Sequence, residues 1–176
     1  MGARRAGAAL AALLLAGCGG SHEAAAPSRD TAPDTIKLSS PAFADGAAIP
    51  KDNSCDGAGK PPALSWTGVP GDARELVLVV EDPDAPGGTY VHWTAFGIPG
   101  DATSVPADVA GGENSAGKEG WTPPCPPEGK PHHYVFTLYA LGDPSGLKAG
   151  ASAKDVRAAL SKRPLALGRL TGTYER

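Results

Sequence analysis

Three runs of apolar residues constrain what this chain can fold into more than any other feature. Leu76-Val77-Leu78-Val79-Val80 is uninterrupted, Tyr90 to Ile98 alternates, and His132 to Leu141 opens on two histidines and continues through Tyr134, Phe136 and Leu138. β-Branched and aromatic residues at this density favour strands, and an unbroken apolar run suits one buried on both faces. Between these runs lies much Gly and Pro, together 42 of 176 residues. Such a fraction approaches that of disordered chains. The apolar runs are strong enough to form a core, so the Gly and Pro read as turns of an all-β domain. Thr35 to Ser40, Ala63 to Trp66 and Leu165 to Tyr174 are further strand candidates, whereas Lys51 to Pro62 and Pro99 to Pro131 read as loops. One segment, Ser152 to Lys162, reads as a helix. Ser152 can cap it with Asp155 at the third helical position, Val156, Ala159 and Leu160 form an apolar stripe, and Pro164 stops it.

The first residues carry an address. Arg4 and Arg5 precede an uncharged run from Ala8 to Ala16 that ends in Leu15-Ala16-Gly17-Cys18. A basic start and a short apolar stretch make a secretory signal, too short to stay as a membrane-spanning helix. The Leu-Ala-Gly-Cys ending resembles a bacterial lipobox, in which the Cys becomes the lipidated first residue of the mature protein; the alternative is an ordinary signal with an incidental cysteine. The chain then divides into a signal peptide over 1–17, a flexible tether over 18–34 that begins at lipidated Cys18, and one domain over 35–176. The expected location is exported and anchored to a bacterial membrane, facing periplasm or exterior. Without Arg4 and Arg5, 14 basic residues face 19 acidic ones, a net charge of −5. An acidic domain with no Lys/Arg run excludes nucleic acid as a partner. Cys55 and Cys125 remain in an oxidising compartment, where two thiols tend to pair. Two unpaired, buried thiols are the other reading.

Four short elements carry the polar chemistry. Asp82-Pro83-Asp84-Ala85-Pro86 follows the first long run and holds two carboxylates between prolines. His92-Trp93 lies inside the second, Cys125-Pro126-Pro127-Glu128-Gly129 is a proline-stiffened turn, and His132-His133-Tyr134 opens the third. Alternation puts His92, Thr94 and Phe96 on one face and Val91, Trp93 and Ala95 on the other; it puts His132 and Tyr134 together with His133 opposite. Taken singly, an Asp-Pro turn is a plain turn and a strand histidine is a satisfied structural one. Together, at the ends of the three longest strands of a small domain, they gather carboxylates, imidazoles and a phenol.

With those motifs in order, the chain resembles the phosphatidylethanolamine-binding proteins, in their bacterial Raf kinase inhibitor-like branch. Cys55-Asp56-Gly57 through Pro62-Ala63-Leu64-Ser65-Trp66 and the closing Leu170-Thr171-Gly172-Thr173-Tyr174 also fit, so the likeness runs from about Ile36 to the end. The resemblance implies a β-sandwich, a large central sheet with a smaller one against it, plus a C-terminal helix. It implies a small anion pocket lined by Asp82, His92, His132 and Tyr134. Cys125, Pro126 and Pro127 form one rim, with their segment offering backbone N–H groups, while Asp84 and Pro86 hold the Asp-Pro turn of the ligand-binding set. It further suggests that Asp82–Pro83, Ala85–Pro86 or both are cis. The chain departs from the family pattern at His133, where an Arg is usual, at Ala58 to Pro62, which lack the Asn and Ser of that turn, and at Tyr90-Val91, before His92.

Three function classes follow. The first is non-catalytic binding of a small anion or phospholipid head group by a lipoprotein held at a membrane through Cys18. The second is an inhibitor of a secreted hydrolase or another protein partner. The third is a metal-dependent enzyme built on His92, His132 and Asp82, whose types match a two-His-one-carboxylate set but lack its usual short spacing. No nucleophile elbow or phosphate-binding loop occurs. The first reading is preferred: no enzyme, no cofactor, no resident metal.

Overall fold

A computed structural model describes residues 1–2 and 32–176. All but the first two residues of the signal over 1–17, Cys18, and all but the last residues of the 18–34 tether lie outside the described residues. The chain runs β1 (Lys37–Ser39), β2 (Ser65–Thr67), β3 (Glu75–Asp82), β4 (Tyr90–Pro99), β5 (Ala110–Gly111), β6 (His132–Leu141), α1 (Ala153–Leu160) and β7 (Ala166–Tyr174). Five strands form one antiparallel sheet in the order β5-β4-β3-β6-β7, and β1 pairs with β2 in a smaller sheet. The fold is thus mainly β with two sheets and one short helix, as expected.

The apolar run of β3 has its cause in two cores. Leu76, Leu78 and Val80 face the smaller sheet, where they pack with Leu38, Trp66, Trp93 and Phe136. Val77 and Val79 face the other way, toward Val156 and Leu160 of α1 and Phe96 of β4. A central strand covered on both faces has no solvent side and so shows no alternation. α1 is shorter than the sequence suggested, but its start is the expected one. Ser152 Oγ accepts the Asp155 N–H at 3.2 Å, and the Asp155 carboxylate accepts the Ser152 N–H at 3.3 Å, a reciprocal capping box.

Two glycines let the chain cross the outer strand closely. A Cβ on Gly168 would run into the backbone of Ile36, and one on Gly172 would meet Phe43 and Ile49. The segment from Ile36 to Ile49 can therefore lie flat on β7 and seal the core.

β4 departs from simple alternation. Val80 pairs with Trp93 and Glu81 with Val91, so His92 is an extra residue opposite a single step of β3. A second irregularity falls between Leu76/Ile98 and Leu78/Ala95, at Phe96-Gly97, where Gly97 has φ +70°. β-Bulges of this kind put consecutive side chains on one face. His92 and Trp93 consequently share the face of the smaller sheet, together with Ala95 and Ile98, while Phe96 lies under α1. The expectation that His92 shares a face with Phe96, opposite Trp93, is corrected by this bulge.

Candidate functional site

β3 lies between β4 and β6 and runs antiparallel to both. Its last residue, Asp82, is therefore brought beside the first residues of its neighbours. A cavity of about 190 Å³ opens there. Asp82, His92, His132 and Tyr134 line it, with Pro86 on one side and Cys125, Pro126 and Pro127 on another. Asp84 is not among the lining residues. Its exposed carboxylate accepts the His133 N–H at 2.8 Å and pairs with His133 Nδ1 at 2.7 Å, and these bonds hold its carboxyl below the usual carboxylate range. His133 belongs to the other face, as period 2 requires, and draws Asp84 away with it.

The two carboxylates of one motif thus divide. Asp82 is buried at 3 % exposure and has two protein partners. Its Oδ2 accepts from His132 Nδ1 at 2.8 Å, and its Oδ1 accepts the Asp84 N–H at 2.8 Å. The second bond, with Gly88 N–H to the Ala85 carbonyl at 3.1 Å, shapes the Asp-Pro turn. All peptide bonds among the described residues are trans, Asp82–Pro83 and Ala85–Pro86 included. The turn takes its form from these hydrogen bonds, and the expected cis proline is absent.

His92 donates from Nδ1 to the Thr122 carbonyl at 2.8 Å. Its ring lies 4.7 Å from Tyr90 and packs edge-on against Tyr134 at 5.1 Å. Tyr134 is fully buried, and its hydroxyl has no hydrogen-bond partner among the described residues. Burial, followed by the Asp82 and Asp84 carboxylates, pushes this phenol far above its ordinary range, so it stays protonated.

The sequence reading missed Ala85, Tyr90, Thr122 and Pro123, which also line the cavity. Thr122 and Pro123 end a loop that shows no periodicity. It is ordered by Asn114, whose amide donates to the Gly120 carbonyl and Thr122 Oγ1, both at 2.9 Å, and whose carbonyl accepts from Ala116 and Lys118. Ser115 and Thr122 then bond the backbone of β4 at Val91 and His92. Trp121, just before Thr122, stacks on Phe136 at 6.2 Å and lies 6.3 Å from His92. Cys55 and Cys125 form a disulfide, so the cavity wall is covalently tied to the loop that follows Lys51. The backbone N–H donors expected of that wall are scarce. Four residues of Thr122-Pro123-Pro124-Cys125-Pro126-Pro127 are prolines, and the Thr122 N–H is committed to the His92 carbonyl at 2.9 Å. Among the described residues no three His, Cys, Asp or Glu side chains converge as a metal-binding group.

Comparison with known proteins agrees with this geometry. The family model for phosphatidylethanolamine-binding protein matches residues 39–175. The chain belongs to that family. Among its relatives, a Mycobacterium tuberculosis protein named as a lipoprotein, LppC, a designation its own name marks as provisional, is 41 % identical over 93 % of this chain and 90 % of its own length. A Methanothermobacter thermautotrophicus protein of the UPF0098 group is 42 % identical over 80 % of this chain and 99 % of its own. The phosphatidylethanolamine-binding protein homologue of Chlamydia trachomatis superposes with a TM-score of 0.76 at 36 % identity, covering 81 % of this chain and 99 % of that one. Escherichia coli YbcL, described as a new member of the mammalian family, gives 0.75 at 29 % identity, covering 81 % of this chain and 99 % of that one. The bacterial branch of the phosphatidylethanolamine-binding proteins fits these relatives.

In this family member the site makes folding sensitive to acid. Burial, the largest influence, holds the His92 imidazole below its ordinary 6.5, His132 adds to the effect, and the Thr122 carbonyl and Asp82 oppose it. The unfolded chain therefore binds the His92 proton at higher pH than the folded chain does. Stability present above pH 6.5 is lost as pH falls toward the lower folded value. Thermal unfolding followed from neutral pH downward is expected to show the midpoint dropping below 6.5 in wild type and a flatter profile in His92→Gln. Identical profiles would remove His92 as the cause.

Proposed function

We propose that the protein is a non-catalytic module that captures small oxyanions, phospholipid head groups among them, at a membrane to which a lipid on Cys18 anchors it. The observation that carries this reading is the buried Asp82–His132 pair beside the Tyr134 hydroxyl, which has no partner among the described residues, all lining one open cavity. A buried polar group without a partner costs roughly 1–3 kcal/mol. An oxyanion that accepts from Tyr134 and from the outer nitrogen of His132 recovers that cost. The apolar sides, Pro86, Pro126 and Pro127, exclude water from those bonds and strengthen them. The anchor is supported by the Leu15-Ala16-Gly17-Cys18 ending and by the lipoprotein name of the M. tuberculosis relative. The domain then begins at residue 35, after a tether over 18–34.

Adjacent histidines provide the test. His132→Ala is expected to weaken the binding of inorganic phosphate by roughly 1–3 kcal/mol, the loss of a hydrogen bond to a charged group. His133→Ala leaves binding nearly unchanged, because that ring is engaged with Asp84 on the far face. Titration calorimetry with inorganic phosphate or phosphoethanolamine measures both. Equal behaviour of the two variants, or loss in His133→Ala alone, would refute the assignment.

A further inference from the structure

We propose that this cavity selects oxyanions that carry a hydrogen-bond donor of their own, and that Asp82 and His92 impose the selection. The proposal rests on the oxyanion-binding reading above and adds the class of oxyanion. It follows from counting what the walls offer.

Two of the buried wall groups are acceptors. The Asp82 carboxylate uses one lone pair for His132 and one for the Asp84 N–H, and an ionised carboxylate has about four such positions. In neutral His92 the bond to the Thr122 carbonyl fixes the proton on Nδ1, which leaves Nε2 a bare acceptor with no protein partner among the described residues. Burial favours that neutral form. The lining residues also carry donors: the outer nitrogen of His132 when that ring is charged, the hydroxyls of Tyr134, Tyr90 and Thr122, and the N–H groups of Ala85 and Cys125, which bond to no protein atom among the described residues. Among the described residues no Lys or Arg lines the cavity. The titratable groups that face His92 are Asp82 from β3, Tyr90 from β4 itself, and His132 and Tyr134 from β6; the Thr122–Pro127 wall supplies none, since Cys125 is in a disulfide.

A site designed for a bare anion presents donors only. This one is mixed, so its ligand must be mixed. A fully deprotonated oxyanion brings only lone pairs and would set some of them against Asp82 and His92 Nε2. In a buried site that arrangement carries repulsion and leaves both acceptors unsatisfied. A phosphomonoester monoanion brings lone pairs for His132 and Tyr134 and an O–H for Asp82 or His92. A phosphodiester has no O–H, although a lipid head group with an ammonium supplies an N–H donor instead.

The experiment is calorimetry on the mature chain at about pH 6, where a monoester is still substantially a monoanion. The probes are inorganic phosphate, sulfate, monomethyl phosphate, dimethyl phosphate and glycerophosphoethanolamine. Phosphate is expected to bind at least about tenfold tighter than sulfate, and monomethyl phosphate tighter than dimethyl phosphate by a similar factor, since a site with buried polar groups rejects ligands that leave them unpaired. Asp82→Asn, which replaces one acceptor oxygen by an N–H₂ donor, should narrow the phosphate-to-sulfate ratio. Because the wild-type comparison needs no variant, a poorly folded Asp82→Asn protein leaves the test intact. Glycerophosphoethanolamine binding where dimethyl phosphate does not supports the proposal with the ammonium or a glycerol hydroxyl as donor; failure of both beside a tight monoester supports it with the phosphate O–H as donor. Sulfate and dimethyl phosphate binding as tightly as their protonated counterparts would overturn the selectivity while leaving oxyanion capture standing. Binding of none of the five would overturn both.

Discussion

Replacing Phe136 by Ala is expected to lower the unfolding free energy by about 3–5 kcal/mol, the usual cost of removing a large buried aromatic ring. Phe136 is fully buried in the middle of β6 and packs in the core between the two sheets. Its ring centroid lies 5.6 Å from Phe43 and 6.2 Å from Trp121, the latter nearly stacked. Phe43 belongs to the segment pressed onto Gly172, and Trp121 is held from its far side by a bond from Nε1 to the Gly59 carbonyl at 3.1 Å. Neither ring can move inward freely to refill the space, so the cavity persists. The effect extends to the site, because Trp121 adjoins His92 and the next residue, Thr122, fixes the His92 ring. Urea unfolding measures the stability loss, and phosphate calorimetry on the folded variant should show weaker binding than wild type. A loss below about 1 kcal/mol would mean that the surrounding side chains collapse into the gap.

The sequence disclosed what depends on each residue's own strand and concealed what depends on its partner. β3 was legible because burial on both faces writes an unbroken apolar run. β6 was legible because its pairing with β3 and β7 is regular from end to end, so His132 and Tyr134 fall on one face and His133 on the other. β4 was not, since its bulges arise from the register with β3; Gly97 was the one local cue, at a position where positive φ favours glycine. As it happens, His92 still reaches the cavity, but by a bulge and in company with Trp93. The separation of Asp82 from Asp84 was partly available, because Asp82 continues the alternation of Leu78 and Val80 toward the cavity face. The partner that removes Asp84 lies 49 residues away at His133 and left no local sign. Thr122 and Pro123 were invisible for the same reason. Their loop is placed by Asn114 and by bonds to β4, which no periodicity announces.

Removing the Cys55–Cys125 bridge is expected to cost about 2–4 kcal/mol of stability, chiefly by freeing the unfolded chain. The bridge closes a loop across a sequence separation of 70 with Cα atoms 5.4 Å apart, so the unfolded chain regains considerable freedom when it is lost. The folded chain loses a fastener at the cavity wall as well. Around the bridge, the Cys55 N–H donates to the Pro124 carbonyl at 3.0 Å, Tyr174 donates to Asp56 at 2.8 Å, and Arg176 pairs with Asp56 at 3.3 Å. These bonds keep the wall near its place, but the two to Asp56 lie at the surface and are individually weak. Cys55→Ser with Cys125→Ser should therefore fold, unfold at lower urea, and bind phosphate more weakly than wild type. Both cysteines are exposed, so reductant reaches the bond in the folded protein. Adding a dithiol should bring the wild-type midpoint down to that of the double variant and leave the variant unmoved. A wild-type midpoint that stays put after full reduction, verified by thiol counting, would show that the hydrogen bonds at Pro124 and Asp56 alone hold the wall against the sheet.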